Sequence, residues 1–333
     1  MAGVMTVCRK ELADHLGSKR YILLFALILL LSTLSAYQGV NYIRNATSSS
    51  FIAIFSGAQY GFSFTYLMVY FGPIIGLALG FDAINKERTS GSLSTLLSQP
   101  IYRDSVINGK FLGGTLALSL LTVSTIGIMC GVAVPLLGFV PTLDDISRIV
   151  LFTLLTVLYL AFWLGLGILF STVTKKTSTS ILMSVTTWIL CSIIITVIAM
   201  LVANMLAPIS LPTMPTRGGS FNQTIQGGFN ITRITQSEEY RAQYERYSAI
   251  QTNIQRISPA YLYNEAASSI LGVIGGTSGF IERGGGGTPF QQLELTQGLM
   301  ASWPEITAIA VGLVICFAAS YMLFLRLEIR PGG

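Results

Sequence analysis

Six long apolar runs constrain the fold of this 333-residue chain more than any other feature of its sequence. Each run is close to or above the roughly 20 residues that an α-helix needs to cross a bilayer. A helix suits hydrocarbon because it satisfies its own backbone hydrogen bonds. Apolar residues make up 52% of the chain, which is typical of an all-α membrane protein. The predicted spans are Tyr21–Gln38, Phe62–Phe81, Leu112–Leu137, Ile149–Phe170, Ile181–Leu206 and Ile306–Leu325.

The lysines predict the orientation of these spans. All six lysines lie in segments on the side that also holds both chain termini, and the positive-inside rule assigns that side to the cytosol. The sequence therefore predicts a multi-pass protein of the cell membrane, in contact with membrane lipid, with both termini cytosolic. The basic charge balance follows from this orientation, so it gives no indication of nucleic-acid binding.

A charged segment, residues 82–110, lies between the second and third spans, where hydrocarbon would exclude it. Gly91 interrupts the chain within it, and Pro100 ends a short predicted helix because proline cannot continue one. Three leucines fall on one side of that helix. Leucines exposed at a membrane surface need a partner to cover them. These leucines are Leu93, Leu96 and Leu97.

The segment reads ERTSGSL from residue 87, LLSQPIYR from residue 96 and GK from residue 109. This pattern resembles the signature of the type-2 ABC exporter permeases. The resemblance implies a coupling helix that docks on a separate ABC ATP-binding subunit. It also implies two such subunits, which bind ATP and Mg, and a second permease copy in a homodimer or heterodimer. The residues assigned to ATPase coupling are Glu87, Arg88, Gly91, Leu93, Leu96, Leu97, Pro100 and Arg103.

Other interpretations of the sequence stay open beside this one. An ordinary charged loop would carry the same residues without a docking role. A secondary carrier or channel would need no ATPase, and an ABC-like module would act mechanically on an outer domain. The overall plan also resembles the permeases that serve maturation of nitrous-oxide reductase, which implies a cargo related to copper or sulfur.

The segments around the spans divide the chain further. The first is predicted to be an amphipathic helix at the inner interface, the elbow helix of the resembled family, with a disordered basic tail as the alternative. The region between the fifth and sixth spans is predicted to be a mainly helical extracellular domain. An apolar and aromatic stripe at spacings of three and four residues predicts a helix at 236–257, and a second helix is predicted at 261–271. Ser302 and Glu305 predict a capping box at the start of the sixth span. The predicted domains are residues 1–20, 21–206, 207–302 and 303–333.

The second span carries glycines at four-residue intervals. Gly72, Gly76 and Gly80 therefore share one helix face, where small residues let two helix backbones approach closely. Two interpretations are equally open, namely a pivot or subunit interface and packing within one subunit.

Several kinds of chemistry are missing from the sequence. Gly109-Lys110 is not part of a phosphate-binding P-loop, since Asp104 stands where the first glycine would be. Neither an HExxH nor a CxxC motif occurs, so we expect no catalytic residue, no metal site and no cofactor in this chain. The acidic residues nearest to a span are Asp82 and Glu305, both at predicted membrane edges. The sequence thus predicts a permease subunit that is not itself an enzyme.

Overall fold

The computed structural model describes residues 2–45, 50–56, 63–91, 102–208, 238–272 and 294–326. Helices are the regular structure in these ranges, and no strand occurs in them. A π-helical turn, Leu190–Ile194, joins two of the helices into one span. The α-helices are α1 (Ala2–Leu16), α2 (Lys19–Asn45), α3 (Ala53–Ser56), α4 (Phe64–Gly80), α5 (Asn85–Thr89), α6 (Arg103–Leu137), α7 (Leu143–Val173), α8 (Thr177–Ile189), α9 (Ile195–Leu206), α10 (Glu238–Gln255), α11 (Pro259–Ile270) and α12 (Leu295–Leu325).

Six helical segments in the described ranges are long and apolar enough to cross a membrane, which confirms the predicted number of spans. They consist of α2, α4 with its continuation into α5, α6, α7, α8–α9 and α12. Several extend well beyond the apolar runs, because a helix can continue into polar sequence once it leaves hydrocarbon. The third span, for example, begins at Arg103 rather than at Leu112.

α7 is the central helix of the bundle. It packs against α4, α6, α8, α11 and α12. Its buried face carries Phe152, Tyr159 and Trp163, none of which is exposed. Tyr159 also donates a 3.0 Å hydrogen bond to the carbonyl of Val69, so the hydroxyl is satisfied within the core. Large aromatic side chains on one helix thus fix the positions of its neighbours.

The glycines of the second span lie against α7 of the same chain. A Cβ atom added at Gly76 would lie 2.7 Å from the carbonyl oxygen of Leu160. One added at Gly80 would lie 2.6 Å from the carbonyl oxygen of Leu164. A Cβ atom at Gly72 would meet a Leu160 methyl group at 3.1 Å. The close approach of α4 and α7 therefore requires glycine, which has no side chain, at these three positions.

α10 and α11 lie beside the spans. α10 packs along α9, and α11 packs against α4, α7 and α12. Tyr263 of α11 is fully buried and shares a 2.9 Å hydrogen bond with Thr156, near the middle of α7. Between α10 and α11, Ser258 donates a 2.6 Å hydrogen bond to the carbonyl of Cys191, in the π-helical turn. The joint between these two helices thus reaches the middle of the fifth span.

This arrangement differs from the extracellular domain predicted for residues 207–302. The helices at 236–257 and 261–271 are present nearly as predicted, but α11 is inserted among the spans. Its buried face consists largely of alanines, which permit close packing against α7 and α12. At the joint, Arg256 lies 3.9 Å from Glu305 of α12. Glu305 is 5% exposed, so it is a buried residue rather than one at an open membrane edge.

The predicted capping box at the sixth span is wrong. α12 begins at Leu295, so Ser302 and Glu305 lie inside the helix. The Ser302 hydroxyl donates to the carbonyl of Leu299 at 3.3 Å, a contact within the helix. A local capping motif was present, but the helix continues through it because its first turns pack against α11.

We predict that Gly76→Ala lowers the free energy of unfolding by about 1–3 kcal/mol, the usual range for overpacking a tight site. The new methyl group would collide with the backbone of α7. Gly127→Ala is the matched control, since nothing lies within 4 Å of a Cβ atom there. Thermal melting of the purified protein in detergent measures both. Equal melting temperatures for the two variants would contradict the packing described for α4 and α7.

Candidate functional site

The candidate site lies at the predicted cytosolic end of the bundle, where α1 packs along the first turns of α6. A Cβ atom added at Gly109 would lie 2.6 Å from the Cβ atom of Val7. One added at Gly113 would lie 3.0 Å from the carbonyl oxygen of Cys8. The two glycines are four residues apart and therefore face α1 together. α1 is thus a packed helix, not the disordered tail that the sequence left open.

Lys110 connects three elements at this end. Its Nζ atom lies 2.9 Å from Oε1 of Glu11 on α1 and 2.7 Å from Oε1 of Glu87 on α5. The lysine side chain is only 3% exposed, and the two carboxylates are mostly buried. A buried ammonium is costly unless charged partners surround it. The pairing of Lys110 therefore requires α1 and α5 to stay against α6. We call these three residues the Lys110 cluster.

Burial and nearby charges shift the pKa values of two groups on α1. Burial alone would raise the pKa of Glu11, but the Lys110 ammonium and, less strongly, Lys10 together outweigh that effect, and the pKa is lowered. Burial lowers the pKa of His15, one turn further along α1, since it disfavours the charged ring. At neutral pH, Glu11 is therefore ionised and His15 is uncharged.

A second ion pair joins the start of α2 to the chain just after α4. Nη2 of Arg20 lies 2.8 Å from Oδ2 of Asp82, and its guanidinium stands 5.5 Å from the ring centroid of Phe81. Arg20 is 55% exposed, so water weakens this pair relative to the Lys110 cluster. Its geometric effect is to hold the α1–α2 corner near the α4–α5 corner.

α5 is anchored to the end of α7 by a small polar network. The backbone N–H groups of Ile84 and Asn85 both donate to Oγ of Ser171, each at 3.0 Å. The Asn85 side chain donates to the Thr174 hydroxyl at 2.8 Å. Near the start of α8, Ser180 donates at 2.7 Å to the carbonyl of the residue after α4. These contacts tie α5 to the turn between α7 and α8.

Neither this network nor the pairing of Lys110 was predicted from the sequence. Asn85 and Thr174 are 89 residues apart in the chain, and no spacing rule relates positions at such a distance. One signal was available, since a lysine that continues an apolar helix requires an acidic partner. The identity of that partner depends on how α1 folds back, which the sequence pattern does not specify.

The predicted coupling residues occupy two sides of a gap in the described chain. Glu87 and Arg88 lie on α5, and Gly91 follows with φ +72°, a left-handed conformation that favours glycine. Arg103 is exposed at the first position of α6. The structure brings Glu87 into the Lys110 cluster but does not bring Arg103 there. The other four lie outside the described residues, namely Leu93, Leu96, Leu97 and Pro100.

A family model described as "ABC-2 family transporter protein" matches residues 5–329, nearly the whole chain. The chain is also similar to two curated proteins, each named "Probable ABC transporter permease protein NosY". The relative from Pseudomonas aeruginosa is 34% identical over 144 residues, which are 43% of this chain and 49% of the relative. The relative from Stutzerimonas stutzeri is 32% identical over 120 residues, 36% of this chain and 41% of the relative. The chain thus spans less than half the length of each curated relative that it matches.

We predict that Lys110→Met detaches α1, with a loss of about 3–5 kcal/mol, because it removes the buried cation between two carboxylates. Only the half-exposed Lys10 would then remain beside them. Cys8 reports this change, since it is 4% exposed while α1 is packed. With the other three cysteines replaced by serine, maleimide labelling of Cys8 in the folded protein is expected to rise strongly. Lys175→Met removes an exposed lysine nearby and serves as the control. Protection of Cys8 in both variants would contradict the role given to Lys110.

We also predict that the packing of α1 weakens as pH falls from about 8 to 5. The folded pKa of His15 is lowered, so stability is lost as pH drops below the ordinary histidine value of about 6.5. The charged groups that act on the ring are Glu11, Asp14, Asp82 and Lys110. Amide hydrogen exchange of α1, corrected for the intrinsic pH dependence, is the measurement. His15→Asn should reduce the pH dependence of exchange in α1. An unchanged pH dependence in that variant would assign the effect to other groups.

Proposed function

Because the chain belongs to the ABC-2 transporter family, we propose that it is the membrane-spanning subunit of an ABC exporter. In this proposal a separate ABC ATP-binding subunit hydrolyses ATP, and the movement passes through this chain to its substrate path. Partnership with such a subunit is what the family implies. The ATPase, not this chain, would bind ATP and Mg.

The observation that carries the proposal is the Lys110 cluster and its position. The cluster lies between α5 and α6, the two helices on either side of residues 92–101, which hold the predicted docking leucines. A segment that receives force needs stiff attachments at both ends. α5 has buried ionic and polar contacts, and α6 is one continuous helix of 35 residues from Arg103. Both attachments therefore lead from residues 92–101 directly into the spans.

Two routes lead from these attachments into the bundle. A push on the N-terminal end of α6 acts along a helix about 50 Å long, at 1.5 Å per residue. A push on α5 acts on α7 through Asn85, Ser171 and Thr174. α7 in turn packs against α4, α11 and α12. Movement at the docking segment would thus reach most of the described spans through the central helix.

The proposed assembly contains two permease copies, identical or related, with two ATP-binding subunits. Both termini and the Lys110 cluster face the cytosol, as the distribution of lysines indicates. A secondary carrier or channel would leave the docking leucines uncovered. An ABC-like module that acts mechanically shares the ATPase contact, so only measurement of transport separates it from an exporter.

We predict that Leu96→Asp weakens capture of the ATP-binding subunit at least tenfold, since it places a charge in an apolar contact. Tenfold corresponds to about 1.4 kcal/mol of binding free energy. The measurement is affinity purification of this permease after co-expression with an ABC ATP-binding subunit encoded in the same genome. Leu96→Met, which keeps the apolar contact, should retain capture.

Capture that survives Leu96→Asp unchanged would show that the docking helix is assigned to the wrong residues. ATP-dependent movement of substrate in sealed vesicles then tests the exporter. Robust ATPase activity of the complex with no movement of any substrate across the vesicle membrane would favour the mechanical module.

A further inference from the structure

A cavity of about 290 Å³ opens beside the Lys110 cluster, among α1, the start of α2, the end of α4 and α5. It lies where α1 turns into the first span, which is the level of the lipid headgroups in the predicted orientation. Eight charged side chains line it, four of each sign. The cations are Lys10, Arg20, Lys86 and Lys110, and the anions are Glu11, Asp14, Asp82 and Glu87.

Most of these charges are paired with one another, but one cation is not. Lys110 pairs with Glu11 and Glu87, and Arg20 pairs with Asp82. Lys10 lies 3.3 Å from Glu11, 3.5 Å from Asp14 and 3.9 Å from Glu87. Lys86 is exposed, and the described part of the chain offers it no ion-pair partner. Asp14 remains 63% exposed on the other side of the lining. The cavity therefore presents an accessible positive group and an accessible negative group around one space.

An apolar line leads away from this cavity along α4. Ala78 belongs to the cavity wall, and Ile74, Tyr70 and Tyr66 follow it at intervals of four residues. These three are 36%, 42% and 38% exposed, whereas most of α4 is buried. Residues four apart share one helix face, so they form a single strip about 18 Å long. We call it the α4 strip.

We propose that the cavity binds the headgroup of an inner-leaflet phospholipid that carries a phosphate and a primary ammonium, with one acyl chain along the α4 strip. Lys86, which lines the same cavity as Arg20, would contact the phosphate. The ammonium would donate hydrogen bonds to Asp14 and Asp82. This inference rests on the membrane placement of the spans and not on the coupling role of residues 92–101.

The balance of charge favours this headgroup over the other common ones. A phosphoglycerol headgroup carries a phosphate but no cation, so it would add a net negative charge to a lining that holds four charges of each sign. A phosphocholine headgroup has a cation without N–H donors, and it cannot form charge-assisted hydrogen bonds to a carboxylate. A headgroup with both charges and with N–H donors matches both sides.

Native mass spectrometry of the purified protein tests the proposal. The protein is mixed in detergent with phosphatidylethanolamine, phosphatidylglycerol and phosphatidylcholine of identical acyl chains. We expect at least threefold more bound phosphatidylethanolamine than either other lipid. Asp14→Asn should remove this preference, because Asp14 would contact the ammonium. Lys86→Ala should lower retention of all three lipids, because each carries a phosphate, and Lys86→Arg should restore it; Lys175→Ala is the matched control. Lys86→Gln repeats the test if Lys86→Ala lowers the melting temperature.

Equal retention of the three lipids by the wild-type protein would overturn the proposal. Soluble phosphoethanolamine separates a lipid from a small phosphate ester, because it has no chain for the α4 strip. We expect a hundredfold excess of it to leave the bound lipid in place, and displacement at that excess would overturn the lipid assignment. Leu96→Asp should retain the lipid preference, so failure of the docking assignment and failure of this lipid site give different results.

Discussion

The pairing of Lys110 with Glu11 and Glu87 is the constraint on which the predicted cytosolic end depends. An ammonium with 3% exposure and two nearby carboxylates is tolerable only while all three remain together. The three residues belong to α1, α5 and α6, and α1 is far from the other two helices in sequence. Their pairing therefore fixes where α1 crosses α6 and how α5 leaves α4. The glycines at 109 and 113 make the same arrangement sterically feasible, since any side chain there would push α1 away.

The middle of the bundle is held by a different kind of contact. α4 and α7 meet along glycines, and α7 and α11 meet through buried rings, with Tyr159 and Tyr263 stacked at 4.4 Å between centroids. Hydrocarbon gives little driving force for helix association, so close packing has to supply it. At the end of the bundle that holds Lys110, buried ion pairs supply the attachment instead. The two regions are therefore held by different interactions, close packing in the centre and buried charge pairs at that end.

Sequence patterns predicted the membrane spans, which depend on apolar length, but few of the contacts between helices that are distant in sequence. The six spans followed from apolar length alone, but their ends did not, because helices such as α6 and α12 continue into polar sequence. The stripe on residues 236–257 predicted a helix correctly, yet a stripe gives the buried face and not what covers it. Nothing in the pattern showed that the next helix, α11, packs among the spans or that Glu305 is buried. The Lys110 cluster needed a fold-back of α1 that no local spacing encodes.

The proposed lipid site and the Lys110 cluster share residues, and this has a physical consequence. Glu11, Glu87 and Lys110 form one wall of the cavity as well as the junction between α1, α5 and α6. Movement of α5 would displace Glu87 and change both the shape and the charge of the cavity. A lipid that binds one arrangement better than another shifts the equilibrium between them by that difference in affinity. The headgroup and the docking segment would then act on the same junction from opposite sides, one from the membrane surface and the other from the cytosol.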